Sequence, residues 1–352
     1  MGKKLLKWIG ILLAAVLALV IGLVVFLSVT EFRPADRQSA ARYSVIASAP
    51  KADPTEPFTI LSWNTGYGGL GAESDFFMDG GEMVDPPSQE AVETNLSQIR
   101  AFLAAEPADA WLLQEVDVNA ARTGGVDQYA LYTEALDCNA AFAYNYKCPF
   151  VPIPLPPMGR VESGILTLTG LSASESERIS LPCPFSWPVR TANIKRCLLL
   201  TRLPLEGTDR ELVLVNLHLE AYDSGEGKIA QTNLLLQVLQ EEYDKGNYVI
   251  AGGDFNQSFP GVLEQWPIAD PELWTPGILD PEQLPEGWQY AYDLTTPTCR
   301  LLDRPYHADT QHYVIDGFLL SPNVQLENVE TLDLGFQNSD HNPVQLQVTL
   351  TP

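Results

Sequence analysis

With 352 residues, 45% of them hydrophobic and 9% aromatic, the chain carries enough apolar material for one large domain or two small ones, which excludes an intrinsically disordered protein. A formal net charge of −24 excludes a broad basic footprint for duplex nucleic acid, and at long range such a surface repels polyanions. Only a bound cation would reverse that sign locally.

Residues 1–7 form a basic segment with Lys3, Lys4 and Lys7. Residues 8–29 follow as 22 consecutive uncharged, mostly apolar positions without proline. As a helix they would span roughly 33 Å, enough to cross a bilayer's hydrocarbon core. The lysines before the run place the N-terminus in the cytoplasm and the rest of the chain outside, as a single-pass signal anchor in the cell membrane. A cleavable signal peptide is the rival reading, but its apolar region is usually about 7–15 residues, and Leu27-Ser28-Val29-Thr30 is a poor cleavage site. Residues 30–56, with Pro34, Pro50 and Pro54, read as a linker, and the catalytic domain is expected over 57–352.

Within that domain the first strand is expected at 58–63. A helix follows from Glu90 to Ala105, with Val92, Leu96, Ile99, Phe102 and Leu103 on one face. Further strands are expected at 110–114, 164–169, 197–203, 212–217, 248–251, 313–320 and 343–350, with a second helix over 230–243. Strands and helices alternate without the even spacing of a doubly wound parallel fold, which leaves a mixed α/β architecture. The prolines between Cys148 and Gly159 predict a stiff lip. Asp75–Gly81 reads either as a substrate entrance or as a turn with an apolar plug. Five cysteines permit short pairings such as Cys138–Cys148 or Cys183–Cys197, leaving Cys299 over, and none has zinc-site spacing.

Charge is uneven along the chain. Residues 147–202 hold seven basic residues against three acids, and 261–299 hold seven acids and no Lys or Arg. These are either a substrate-facing rim and an anion-excluding wall, or two solvated faces.

Six short polar clusters each follow an aliphatic run, so each should be delivered by the end of a buried strand. They are Ser62-Trp63-Asn64, Leu113-Gln114-Glu115, Asn216-Leu217-His218, Gly252-Gly253-Asp254-Phe255-Asn256, Val314-Ile315-Asp316 and Asn338-Ser339-Asp340-His341-Asn342-Pro343. Carboxylates, carboxamides and imidazoles converging on one sheet edge suit a hard divalent cation and a phosphate. Singly, each could be a turn residue or a satisfied core histidine. In this order they resemble the endonuclease/exonuclease/phosphatase superfamily, over roughly residues 57–350, as a membrane-anchored, bacterial-type member.

The resemblance implies a four-layer α-β-β-α sandwich of two mixed sheets, here preceded by one transmembrane helix, and divalent-metal-dependent hydrolysis of a phosphate ester with Mg²⁺ or Mn²⁺. It implies Glu115 as the metal ligand, with Asn64 and Asp340 beside it. Asp254 would orient or deprotonate the attacking water, and Asn256 would hold a phosphoryl oxygen. His218 would donate to a non-bridging or leaving oxygen. His341, oriented by Asp316, would act as base or electrostatic clamp. Arg160 and Arg196, from the basic segment, and Tyr222 are the substrate-binding candidates, whereas His307 and His312 read as loop residues. The chain departs from the nuclease branch at Gly66, where a carboxylate is expected, and at Gly317, where an aromatic is common. These departures, the lip and the acidic wall argue for a phosphate ester smaller than duplex DNA: a small phosphodiester, a phospholipid head group or a nucleic-acid strand is the expected substrate, and the enzyme is expected to be a monomer. An extracellular nuclease and a silent, ligand-binding pseudoenzyme are the alternatives.

Overall fold

The computed structural model describes residues 2–351. Helix α1 (Gly2–Val29) includes the basic segment as well as the apolar run, and it is long and apolar enough to cross a membrane. The remaining chain builds two mixed seven-stranded sheets. The first runs, in spatial order, β1 (Arg37–Ser39), β7 (Glu175–Ser180), β8 (Cys197–Pro204), β9 (Glu211–His218), β10 (Tyr248–Asp254), β16 (Asp316–Leu320) and β13 (Gln289–Ala291). The second runs β17 (Val324–Thr331), β18 (Val344–Leu350), β3 (Phe58–Asn64), β4 (Ala110–Asp117), β6 (Gly159–Thr169), β5 (Asn139–Val151) and β2 (Arg42–Ser44). Two short ribbons, β11 (Gln257–Ser258) with β12 (Gly277–Ile278) and β14 (Cys299–Arg300) with β15 (His312–Tyr313), stand apart from both sheets.

Alternation of side chains along each strand creates the layers. Ile60, Leu112, Leu214, Ile250, Phe318 and Leu346 point between the sheets into one shared core. Their neighbours point outward: Leu61, Trp63, Trp111 and Leu113 pack under α2 (Gln89–Ala105), while Val213, Val215, Val249 and Ala251 pack under α4 (Glu226–Asp244). The expected four-layer sandwich is what forms. Helix α2 begins where Ser88 Oγ accepts the Ala91 N–H at 3.1 Å, an N-cap that satisfies one otherwise free donor. A shorter helix, α3 (Gln128–Leu136), closes the same outer face, and α5 (Val262–Gln265) is a single turn.

Three expectations need correction. Residues 30–56 are not a plain linker: β1 extends the first sheet beside β7, β2 extends the second beside β5, and Ala52 is buried in the shared core. The strand expected over 313–320 is broken, because the chain leaves β14 after Tyr313 and joins β10 only at Asp316. All five cysteines are free thiols. Cys138 and Cys148 bracket most of β5, and ten residues of extended chain hold them roughly 30 Å apart. Cys197, for its part, is buried opposite Ser180, while Cys183 lies exposed beyond that strand end.

Candidate active site

Each sheet contains one parallel pair, and parallel strands end at the same rim. In β3/β4 Asn64 stands beside Gln114, and in β9/β10 His218 stands beside Asp254. Antiparallel β16 starts at that rim with Asp316 opposite Asp254, and β18 starts there opposite Ser62, just after His341. The two rims are fixed to each other by buried amides. Gln114 Nε2 donates to Asn216 Oδ1 at 2.8 Å, and Asn216 Nδ2 donates to the carbonyls of Leu113 and Leu166 at 3.1 and 2.9 Å. Both amides stand inside the quoted clusters, but only the sandwich reveals them as a tie between sheets.

Local backbone aims the acids. The β4/β6 register slips between Leu113 and Val116, and Glu115 takes a left-handed φ of 56° within that bulge. The extra residue turns Glu115 out of the ladder and toward the cleft. Asn256, two residues after Asp254, has a φ of 50°. Left-handed non-glycine residues cost about 1–3 kcal/mol each and persist where packing over-determines them. Gly66 explains the missing carboxylate: its φ is 50°, and a Cβ there would stand 2.8 Å from Asp340 Oδ1. Asp340 fills the space that a side chain at 66 would need.

The polar groups then meet. Asn64 Nδ2 donates to Asp254 Oδ2 at 3.0 Å and Glu115 Oε1 at 3.2 Å, and lies 3.4 Å from His341 Nε2. His341 Nδ1 pairs with Asp316 Oδ2 at 2.8 Å. His218 Nε2 is 3.4 Å from Asp254 Oδ2 and 4.0 Å from Glu115 Oε1. The two imidazoles are driven in opposite directions. Burial lowers the pKa of His218, and the charges of Arg196 and His341 lower it further. Burial also opposes charge on His341, but Asp316, Cys299 and Asp340 outweigh it and hold the ring well above its usual value. Burial pushes Asp254 up, with Asp316 adding to it. Asp340 is raised by burial and by Glu115, against the pull of His341.

Asp254, Asp316 and His341 offer ligand atoms within 4.8 Å of one another. Because Asp316 already holds His341 Nδ1, this trio is better understood as an oriented imidazole beside a carboxylate. The donors suited to a hard cation at the cleft are Glu115 and Asp340, with Asn64 behind them. Asn64 and Ser339 are the hydrogen-bond donors to Glu115 and Asp340, so neither carboxylate is neutralised by a bonded cation, and the Glu115 charge works against that of Asp340. This residue set fits a divalent metal.

Eight of the sequence candidates line one cleft of about 340 Å³: Glu115, Arg196, His218, Tyr222, Asp254, Asn256, Asp340 and His341. Asn64 and Asp316, each 1% exposed, sit behind that lining and act through their neighbours. Asn256 spends one amide hydrogen on the Leu219 carbonyl at 2.9 Å, which leaves the other for a ligand. Arg160 does not join them: it is exposed and donates to the Asn119 carbonyl at 3.1 Å. Two of the seven basic residues of that segment are structural. Arg178 is fully buried on the backbone carbonyls of Tyr144 and Lys195, and Arg202 is held by Glu242. Outside the cleft, His307 accepts the Asp309 N–H and His312 stacks on Phe336.

Other cleft residues escaped sequence reasoning. Arg122 is bonded to Asp117 at 2.9 and 3.0 Å and lies 3.4 Å over the Tyr67 ring. Tyr222 O–H donates to Asp79 at 2.8 Å, and burial pushes Asp79 up to about 7. Asp79 belongs to the Asp75–Gly81 stretch, which therefore forms one wall of the cleft. The Arg122 and Tyr67 pairing has no local sequence signal, since 55 residues separate the two.

Residues 61–341 match the model of the Endonuclease/Exonuclease/phosphatase family. No curated protein sequence matches the chain. Among solved structures the chain resembles an endonuclease/exonuclease/phosphatase from Beutenbergia cavernae, with a TM-score of 0.57, 17% identity, and 84% of this chain and 72% of that one covered. It also resembles the human Nocturnin catalytic domain, with a TM-score of 0.52, 17% identity, and coverage of 88% and 97%. A third likeness is to D. rerio TDP2 complexed with a single-strand DNA product, with a TM-score of 0.51, 17% identity, and coverage of 84% and 99%. At these identities the structural likenesses speak for the fold alone.

Proposed function

This chain belongs to the endonuclease/exonuclease/phosphatase family, whose members are in general phosphoester hydrolases using a divalent metal, and from that premise we propose that it hydrolyses a phosphodiester outside the cell while anchored in the membrane by α1. The observation that carries the reading is the pair of histidines flanking Asp254, with His218 Nε2 at 3.4 Å and His341 Nε2 at 3.8 Å from its carboxylate and His341 oriented by Asp316 at 2.8 Å; their surroundings push the two rings in opposite directions. Neighbouring groups with pKa values pushed apart are the signature of divided acid–base work.

In this reading Asp254 accepts the proton of the attacking water, because burial beside Asp316 makes its carboxylate more basic than usual. Asn64 and the Asn256 backbone N–H hold that carboxylate in place, at 3.0 and 2.8 Å. His341, kept cationic, faces the equatorial phosphoryl oxygens as an electrostatic clamp. His218 stays neutral and donates a hydrogen bond to a second oxygen. Glu115 and Asp340 would hold Mg²⁺ or Mn²⁺, which when bound supplies charge neutralisation at the phosphate worth several kcal/mol. The bond to the leaving oxygen breaks in line with the incoming water.

The test is turnover of bis-p-nitrophenyl phosphate by the full chain in detergent, with Mg²⁺, with Mn²⁺ and with chelator. Metal-dependent release of nitrophenol is expected. No release with either ion, while inorganic phosphate or the metal still binds, would make the cleft a binding site only.

A further inference from the structure

We infer that the lip of the cleft is seated in the outer leaflet of the bilayer and that the phosphodiester it takes is carried by a membrane lipid. This rests on the hydrolase reading above and narrows its substrate. The first observation is that α1 does not leave the domain on a free tether. Glu31, two residues past the helix end with its side chain 3% exposed, is paired with Arg33 at 2.9 Å, Arg190 at 3.2 Å and Lys195 at 3.7 Å. Trp187 Nε1 donates to Ser28 Oγ at 3.0 Å. The helix exit is thereby fixed against the loop before β8.

The second observation is depth. Leu27 and Leu23 pack with Val151, Met158 and Phe77, and these last three also line the cleft. The apolar helix surface continues to Val29, six residues beyond Leu23, or about 9 Å of helix rise. If α1 lies in a membrane, that part of the cleft wall lies at the level of the acyl boundary, not above the headgroups. The third observation is the rim. Ile153 and Leu155 in the lip are 74% and 84% exposed, and Trp187 and Val189 beside the helix exit are 57% and 59% exposed. An isolated exposed leucine means little, but Trp187 is bonded to the helix end through Ser28, and Ile153 and Leu155 follow Val151, which packs in the cluster of Leu23 and Leu27, so these exposed apolar side chains adjoin a membrane-length helix.

Charge agrees with this orientation. In a chain whose net charge is −24, four cations stand here on two acids: Arg33, Arg190 and Lys195 on Glu31, and Lys147 on Glu162. Apolar side chains buried in the interface with cations at headgroup level are the pattern of an interfacially docked surface. A lipid phosphate reaches His218 and His341 from the leaflet without leaving the interface. Water adds to phosphorus and the bond to the diacylglycerol oxygen breaks. The proton lost by the water ends on that oxygen, giving a diacylglycerol and a water-soluble phosphomonoester.

The test uses the full chain reconstituted in vesicles of phosphatidylethanolamine, phosphatidylglycerol and phosphatidylcholine. An environment-sensitive fluorophore is placed on Leu155→Cys in a Cys183→Ser background, with a control label at Thr208→Cys in the exposed β8–β9 turn. The Leu155 label is expected to shift to the blue and be quenched by spin-labelled lipid, and the Thr208 label is not. In parallel, Leu155→Asp/Val189→Asp should keep bis-p-nitrophenyl phosphate turnover within about twofold and lose at least ~10-fold on vesicle lipid. An unquenched Leu155 label, lipid turnover unaffected by the double substitution, or soluble-substrate turnover with none on vesicle lipid would overturn the inference. A quenched label with turnover of neither substrate upholds the docked surface and overturns the hydrolase reading instead.

Discussion

The two ends of the β9/β10 pair treat buried carboxylates in opposite ways. Near the strand starts, Glu242 receives both Arg202 guanidinium nitrogens at 2.7 and 2.8 Å, Lys245 at 2.7 Å and Asn247 at 3.2 Å. Burial alone would raise its pKa, but those donors outweigh it and hold the acid down to about 2. At the strand ends Asp254 is buried as well, receives only Asn64 and the Asn256 N–H, and faces Asp316, so it is pushed up. Burial opposes ionisation of both; the cationic donors around Glu242 and the Asp316 charge facing Asp254 set the opposite signs. One end of the sheet uses its ion pairs for stability, and the other keeps unpaired charge for a ligand.

The comparison breaks most visibly at Glu115. Glu115→Gln should cut metal-dependent turnover by at least ~10³-fold, since a neutral amide is a poor ligand for a hard cation. Calorimetry should show the loss of Mg²⁺ binding, with a melting temperature close to that of the wild type. Wild-type affinity in the variant would remove Glu115 from the metal site. Next in size, His341→Ala should lower turnover by ~10²-fold, whereas His307→Ala, outside the cleft, stays within a few-fold. Equal losses from both would show that the clamp has been assigned to the wrong ring.

At the paired end the readout changes from rate to stability. Glu242→Gln leaves the half-buried Arg202 guanidinium without its main partner and should cost about 2 kcal/mol in urea unfolding. Its folded pKa of about 2 lies below the ordinary 4.5, so this contribution is complete above that value and drains away as pH falls toward 2. The gap between wild type and variant should close across that window; a gap that persists at pH 2 contradicts the assignment. The smallest effect is expected at Asp79, whose pKa is raised from 3.8 to about 7 chiefly by burial. Here the ionised acid is a burden above pH 7 that is relieved as pH falls toward 4. With chelator present, Asp79→Asn should therefore gain about 1 kcal/mol at pH 8 and progressively less in acid. A variant less stable than wild type at pH 8 would mean that the Tyr222 bond outweighs the burden.

The sequence made the strand ends legible because each interior strand is a continuous aliphatic run closed by polar residues, as at Leu212–His218 and Tyr248–Asp254. Helix α2 was legible by period and by the proline that follows it. The face-to-face sheets were not, because alternation says that a strand has two buried faces without saying what covers them. Nor was the aim of Glu115, which depends on a one-residue slip against β6, or the role of Gly66, which depends on Asp340 arriving from the far end of the chain. Arg160 misled because a cation close in sequence to a lip need not face it. The strands β1 and β2, three residues each and mostly polar, carry no hydrophobic signal; they exist only because β7 and β5 offer open edges.

Strands β1 and β2 have a practical meaning for anyone who handles the protein without its helix. A chain cut before Pro34 keeps a guard strand on both sheets. One cut after residue 45 strips them together, and the bare backbones of β7 and β5 become templates on which another copy can add itself. The choice of a cleavage point between residues 33 and 46 would then decide between a monodisperse sample and one that aggregates through its sheets, although neither cut touches a residue of the cleft.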